Sequence, residues 1–395
     1  MPRISRRIEL VQEPMIPVVG QWVAQHPGTI SLGQGIVHYP PPEEVMRAVA
    51  AAAGADHAAN GRIHRYGLVR GVDELLHAIR AKLICDNKIC VDHPDDHRSI
   101  IVTAGSNMGF VNAVLAIADI DDEIVLLSPY YFNHEMAIEI AGCRPVVVAT
   151  TDDYQLDLSA IESAITDRTR AVVTVSPGNP TGAVFSREAL TAVNQLCQLR
   201  GIYHISDEAY EYFVYSDRGH FSPASLPHSV PHTISLFSLS KAYGMAGWRI
   251  GYMVVPSALE HSVKKIQDTN LVCPPMISQI AAHAALSVGG DWCRQQIAPF
   301  RTVRDCVLEH LAALGDRCRV PQPDGAFYVL VQLDTDQRDL ELVERLVKQY
   351  GVAVMPGSMF GKTPGCRLRI AYGALNDTTV TEGMGRLVHG LSQLV

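Results

Sequence analysis

The stretch SLFSLSKAYGMAGWRIGY, Ser235 to Tyr252, sets a short apolar run, a lysine among small hydroxyls, and an arginine ahead of a second apolar run. Thr233–Phe237 and Ile250–Val255 read as strands, apolar on successive residues, which is the pattern of strands covered on both faces. Lys241 follows the first strand end, the place where an open, mostly parallel sheet meets ligands in a crevice. Ser238 and Ser240 can donate hydrogen bonds to a phosphate, and Arg249 can hold one through two parallel bonds. A single lysine after a strand is ordinarily a solvated surface residue, so Lys241 acquires meaning only through its neighbours.

Outward from this stretch the same pattern recurs. Ile100–Thr103, Ile124–Leu127, Pro145–Ala149, Ala171–Val175 and Ile202–Ser206 read as further strands, and Met108–Ala118, Asn133–Ala141 and Arg187–Leu199 as helices between them. Alternation of this kind predicts an α/β sandwich around a mostly parallel sheet. The last hundred residues differ: one long helical stretch from about Ile280 to Leu314, strands at Ala326–Gln332, Val352–Met355 and Cys366–Ala371, and an amphipathic segment Thr379–Gln393. They predict a smaller α+β lobe completed by the N-terminal segment. The expected division is 1–45 as arm and part of the small domain, 46–296 as the large domain and 297–395 as the small C-terminal domain.

A chain of 395 residues exceeds the usual size of a single core, which agrees with two lobes. Only 19% of the residues are charged, fewer than is typical, which points to surface covered by a partner subunit. The net charge of −8 and the lack of a long basic run speak against nucleic acid and anionic lipid as partners. The start, MPRISRRIELVQEP, carries no apolar stretch behind its basic residues, and no apolar run reaches a membrane span. Nine cysteines without ligand or CxxC spacing suit reduced thiols, so the expected location is the cytoplasm. The 16 histidines do not cluster at ligand spacing, and no metal is expected. GKTP at Gly361–Pro364 falls one residue short of a phosphate-loop spacing from Gly357. Gly33 and Gly35 are followed by His38 where a dinucleotide fingerprint needs glycine.

Ser238-x-x-Lys241 followed by Gly-Trp-Arg249 strongly resembles the cofactor-lysine motif of the class I/II aminotransferases, which are fold-type I pyridoxal-phosphate enzymes. Further landmarks follow in the order of that family. ISDEAY (Ile205–Tyr210) resembles the segment whose Asp207 pairs with the pyridine nitrogen and whose Tyr210 meets the ring hydroxyl. SPGNPTG (Ser176–Gly182) implies Asn179 on the same ring oxygen and on the substrate side, with a cis Asn179–Pro180 bond. TAGSNMGF (Thr103–Phe110) supplies a glycine turn into a helix N-terminus, an anion-binding element, and the resemblance makes Gly105, Ser106 and Asn107 the phosphate cup. SPYYFNHE (Ser128–Glu135) implies Tyr131 as the aromatic stacked on the cofactor, in place of the family's more frequent tryptophan or phenylalanine. Tyr66, in HRYGLVRG, matches the tyrosine that reaches the neighbouring subunit's phosphate, which implies a homodimer with shared active sites.

CRLRIAYG (Cys366–Gly373) resembles the motif whose arginine clamps the substrate α-carboxylate, and the register assigns that role to Arg369 rather than Arg367 on the resemblance alone. SLGQGIVHYPPP (Ser31–Pro42) matches the loop on the substrate side, with Gly35 allowing close approach and His38 and Tyr39 lining the side-chain pocket. The resemblance runs from about Ser31 to Leu387. It implies a large domain with a mostly parallel seven-stranded sheet between helices, a smaller α+β domain, and pyridoxal 5'-phosphate held by Lys241 as a Schiff base.

The implied reaction moves an amino group between an L-amino acid and a 2-oxo acid, with Lys241, once displaced, carrying the α-proton as base and then acid. A lyase or cyclase acting at the β or γ carbon shares nearly every motif and stays open as the alternative. A cofactor-binding regulator is the other-class alternative, disfavoured because no spare domain precedes Ser31. The side-chain specificity is not legible: Asp268, in IQDTNLVCPP, is either a surface or cap residue or a partner for a basic substrate.

Overall fold

The apolar runs become strands in the computed structural model, which describes residues 2–55, 61–91, 97–216, 219–361 and 364–395. Lys362 and Thr363 of the GKTP segment lie outside the described residues. After a two-residue strand β1 (Ile30–Ser31) come β2 (Arg98–Thr103), β3 (Glu123–Ser128), β4 (Arg144–Ala149), β5 (Thr169–Val175), β6 (Tyr203–Asp207), β7 (Thr233–Ser238) and β8 (Gly251–Pro256). These seven strands from β2 onward form one sheet in the order β2-β8-β7-β6-β5-β3-β4. Only β8 is antiparallel to its neighbours, so the other six run one way and end on one edge. All six residues of β7 and of β8 are buried. One face packs against helices Ser106–Ile117, Phe132–Ile140 and Ser257–Asn270, with Phe110, Ile138 and Val263 in that layer. Val193 and Cys197 of the helix Arg187–Arg200 cover Val125 and Val172 on the other.

The C-terminal lobe carries β9 (Cys318–Arg319), β10 (Tyr328–Leu333), β11 (Val352–Ala353), β12 (Met355–Pro356) and β13 (Cys366–Ala371). Four of them form an antiparallel sheet ordered β12-β13-β10-β9. The N-terminal segment completes this lobe, since β1 pairs in parallel with β11. One continuous apolar cluster runs from Val19 and Leu32 through Phe237 and Tyr252 to Leu346 and Leu368, so both lobes share a core. They approach closely at Gly182 (φ +72°), where a Cβ would lie 2.4 Å from the Tyr328 carbonyl. A side chain there would force the SPGNPTG loop away from β10.

Three expected elements differ. The long helical stretch from Ile280 to Leu314 is three helices, Met276–Ser287, Gly290–Ile297 and Phe300–Ala312. Gly289, at φ +81°, and Pro299 break it, because a left-handed residue and a missing N–H each interrupt the i to i−4 ladder. The Val352–Met355 run is two short strands that serve different sheets, β11 with β1 and β12 with β13. The strand expected from Ala326 begins at Tyr328, because Ala326 takes φ +53° to donate its N–H to the Phe213 carbonyl.

Beneath the sheet, Asn194 Nδ2 donates to His204 Nδ1 (3.0 Å) and to Thr233 Oγ1 (2.7 Å), while its Oδ1 and backbone carbonyl accept from His232 Nε2. His204 is fully buried, and burial followed by the neighbouring His232 depresses its pKa to about 3. The unfolded chain binds a proton there near pH 6.5, so this site costs stability as pH falls from about 6.5 toward 3. Thermal melts of wild type and His204→Gln between pH 7.5 and 5 test this. The wild type is expected to lose more melting temperature on acidification than the variant, whereas parallel curves would remove His204 from the acid limb.

Candidate active site

Because six strands share a direction, the residues after β2, β3, β5, β6 and β7 converge on one edge, where a cavity of about 380 Å³ opens. Twelve residues singled out in the sequence line it: Gly35, Ser106, Asn107, Tyr131, Asn179, Asp207, Tyr210, Ser238, Ser240, Lys241, Arg249 and Arg369. They come from both lobes and from every motif that carries a cofactor or carboxylate role in the resemblance except HRYGLVRG.

At one end lies an anion cradle. Gly251 pairs with both Thr103 and Ser238, so the reversed strand β8 carries Arg249 between the end of β2 and the end of β7. Arg249 holds φ +50°, a left-handed conformation costly for a side chain with a Cβ, and its Nη1 is tied to the Ala246 carbonyl at 2.8 Å. Gly105 is the N-cap of the helix Ser106–Ile117 and offers no side-chain cap, which leaves the first-turn amides without one. A Cβ on Gly105 would lie 2.6 Å from Arg249 Nη2, so only glycine lets the guanidinium approach the helix end. Bare amides, a guanidinium and the hydroxyls of Ser238 and Ser240 form a donor set suited to a phosphate group.

In the middle, Lys241 Nζ donates to the Gly35 carbonyl. Burial first, then Arg369 and Arg249, lower its pKa to about 8, opposed by Asp207. Asp207, 4% exposed, accepts from the Ala209 N–H (3.1 Å) and from His134 Nε2 (3.1 Å). A buried carboxylate at a strand end, with lone pairs to spare, suits a protonated ring nitrogen. Asn179 Nδ2 lies 3.4 Å from the Tyr210 hydroxyl, which meets the Tyr328 hydroxyl at 2.8 Å, and burial pushes the Tyr210 hydroxyl far above its ordinary pKa. The Tyr131 hydroxyl accepts from Asn133 Nδ2 at 2.8 Å. The Asn179–Pro180 bond is cis. Together the cradle, the carboxylate and the paired hydroxyl and amide match the phosphate, ring nitrogen and ring hydroxyl of pyridoxal phosphate, beside a lysine with a lowered pKa.

At the far end Arg369 is 2% exposed. Its Nη1 donates to Asn179 Oδ1 (3.0 Å) and its Nη2 to the Gly33 carbonyl (2.7 Å), while its Nε is buried without a partner. The guanidinium lies over the rings of Tyr328 (4.6 Å) and Phe360 (4.8 Å). Among the described residues no carboxylate pairs with it. A desolvated cation held only by neutral groups is poised for an anionic ligand. Arg367 instead donates to the Pro364 carbonyl (2.6 Å) and Gln332 (3.3 Å), away from the cavity.

Three residues expected at the site, His38, Tyr39 and Tyr66, stand outside the cavity lining, as does Asp268. His38 does not line the cavity: it is exposed and stacks on Phe300, centroids 5.4 Å apart, because the loop turns outward after Ile36. Its neighbour Tyr39 is buried outside the cavity lining, with its hydroxyl directed at the Lys241 and Ala242 carbonyls. Tyr66 is 84% exposed and touches no part of this chain's cavity. Asp268 is an exposed residue near the end of the helix Ser257–Asn270.

Sequence reasoning missed His134, Tyr328 and Gly33. His134 is 1% exposed, stacks on Phe110 at 4.0 Å and orients Asp207. It lay inside the quoted SPYYFNHE, but no spacing links it to an aspartate 73 residues away. Tyr328 meets Tyr210 across 118 residues, a contact made only by docking the two lobes.

The chain matches the family described as aminotransferase class I and II over residues 27–387. It is 32% identical to an aromatic aminotransferase of Arabidopsis thaliana, with 99% of this chain and 97% of that protein covered. A probable aspartate/prephenate aminotransferase of Aquifex aeolicus is 35% identical over 84% of each chain. The solved structure of aspartate aminotransferase from Thermus thermophilus with maleate superimposes at a TM-score of 0.88, with 30% identity over 99% of this chain and 100% of that one. The chain belongs to the class I and II aminotransferase family.

Proposed function

We propose that this chain, a pyridoxal-phosphate-dependent aminotransferase by family, moves an amino group between an L-amino acid and a 2-oxo acid with Lys241 as its cofactor lysine and proton carrier. The observation that carries the reading is Arg369, a buried guanidinium without a carboxylate of its own, facing the same cavity as Lys241. Bound cofactor supplies an electron sink for the pair released when the substrate's α-C–H bond breaks. Arg369 would hold the α-carboxylate, with Asn179 and the Gly33 carbonyl fixing the plane of the guanidinium, and so orient that bond. Lys241, lowered to about 8, has a usable neutral fraction near physiological pH and can accept the proton and return it.

The geometry supports the remaining roles of the reading. Gly105, Ser106, Asn107, Ser238, Ser240 and Arg249 hold the phosphate, and Asp207, oriented by His134, keeps a proton on the ring nitrogen. Asn179 and Tyr210 meet the ring hydroxyl, Tyr131 covers a ring face and Gly35 lets substrate approach. No feature among the described residues favours elimination or cyclisation over transamination.

The reading includes a homodimer. The Gly67 N–H donates to Cys273 Sγ at 3.2 Å, which brings Tyr66 (84% exposed), Leu68 (56%) and Val272 (41%) into one apolar patch. Such a patch suits a second copy, and Tyr66 would then reach the phosphate held by the partner subunit. Nine cysteines without disulfide spacing favour a reducing compartment, and the reading places the enzyme in the cytoplasm.

Five measurements test these assignments. Cofactor-loaded protein given a single amino acid and no acceptor should release one equivalent of 2-oxo acid and stop, whereas ammonia accumulating over many turnovers would indicate elimination. Lys241→Ala should lower kcat by about 10²–10⁴-fold or more, as loss of a positioned acid–base group does. The rate of cofactor attachment to stripped protein should rise with pH through about 8 as Lys241 loses its proton, and a flat profile from pH 6.5 to 9 would contradict that assignment. Arg369→Ala should cut kcat/KM by an amount on the order of 2–5 kcal/mol, typical for a buried charge partner, and Tyr66→Asp with Val272→Asp should shift sedimentation to the monomer.

A further inference from the structure

The cavity's charged groups are already committed. Among the described residues that line it, the cations are Lys241, Arg249 and Arg369. Arg249 belongs to the phosphate cradle, Lys241 faces the Gly35 carbonyl, and Arg369 is the carboxylate clamp of the proposed function. The wall beside that clamp is of another kind. Phe132 packs edge-on to Phe360 (5.9 Å), the ring that lies beneath the Arg369 guanidinium. Ile36 stands three residues after Gly33, whose carbonyl holds Arg369, and it lines the same cavity. Ile16 closes the mouth from the N-terminal helix Met15–Gln25. Just ahead of that helix, Gln12 reaches the Met359 carbonyl (3.3 Å), next in the chain to Phe360.

Ile16 and Ile36 remain 43% and 41% exposed, large apolar side chains kept in water at the rim of a cavity. A ligand that covered them would remove that contact with water. The helix that carries Phe132 also carries a carboxylate. Glu135, one turn beyond Phe132 on the same helix, is held by the Tyr130 hydroxyl (2.5 Å) and by Gln12 Nε2 (3.1 Å). Among this chain's described lining residues no uncommitted cation would meet a second carboxylate on the substrate, and desolvating one unpaired is costly.

We propose that Ile16, Ile36 and Phe132 form the subsite for the substrate side chain, and that it selects amino acids with large apolar side chains over dicarboxylic ones. The inference rests on the proposed role of Arg369 as the α-carboxylate clamp. The family alone does not choose, because its members carry both aspartate and aromatic names.

The test uses the cofactor-loaded enzyme in stopped flow, one amino donor at a time, following the loss of the cofactor's visible band. Phenylalanine or leucine should react faster than aspartate by at least about tenfold, the scale on which apolar pockets discriminate. Ile16→Arg should lower the phenylalanine-to-aspartate rate ratio tenfold or more, and Ile36→Ala should lower the phenylalanine-to-alanine ratio. Aspartate reacting as fast as phenylalanine in wild type, or ratios unmoved in both variants, would overturn the subsite while leaving the aminotransferase reading in place. If no amino acid bleached the band, the proposed function itself would fail and the subsite with it.

Discussion

One charge imbalance organises the molecule. Lys241, Arg249 and Arg369 face a single cavity, and among the described residues that line it the only carboxylate is Asp207. Arg369 is buried and Lys241 half-buried, so both lose hydration with a single anion to balance them, while Arg249 stays exposed; this imbalance is unfavourable in an empty protein. Lys241 responds by giving up its proton more readily. Arg249 and Arg369 cannot do so, and they are held by neutral carbonyl and amide oxygens instead. A ligand with an anionic group at each end relieves the imbalance. A phosphate-bearing cofactor joined to an amino acid carboxylate is such a ligand.

The fold serves that arrangement by geometry rather than by local sequence. Six strands of one direction bring loops distant in sequence to one edge, and the single reversed strand, β8, delivers Arg249 beside a helix N-terminus. The carboxylate end requires the second lobe, since Arg369 lies on β13 while its acceptors Asn179 and Gly33 lie on the SPGNPTG loop and the N-terminal segment. The shared core that spans both lobes keeps these parts in register. A bidentate clamp gains its orienting power only if its own plane is fixed, and two hydrogen bonds and two aromatic rings fix Arg369.

What could be read in the sequence divides along the same line. Lys241, Asp207 and Arg249 stand at strand ends inside short motifs, so the family resemblance of those motifs marked them, while apolar patterning marked the seven central strands. His134 and Tyr328 act through contacts 73 and 118 residues distant, which no local pattern encodes. His38 was misplaced because adjacency to Gly35 does not fix where a loop side chain points; it stacks on Phe300 outside the cavity lining, and Ile36, at the rim, lines the cavity instead. The helical stretch near Ile280–Leu314 looked continuous because apolar periodicity persists across Gly289 and Pro299, although the backbone breaks at both.

The most direct measurement is chemical trapping at the lysine. Cofactor-loaded protein is reduced with borohydride, digested, and the peptide that retains the cofactor is sequenced by mass spectrometry. The account predicts the label on Lys241, with none after prior incubation with an amino donor. Label on another lysine, or a cofactor that washes away unreduced from a folded protein, would contradict it.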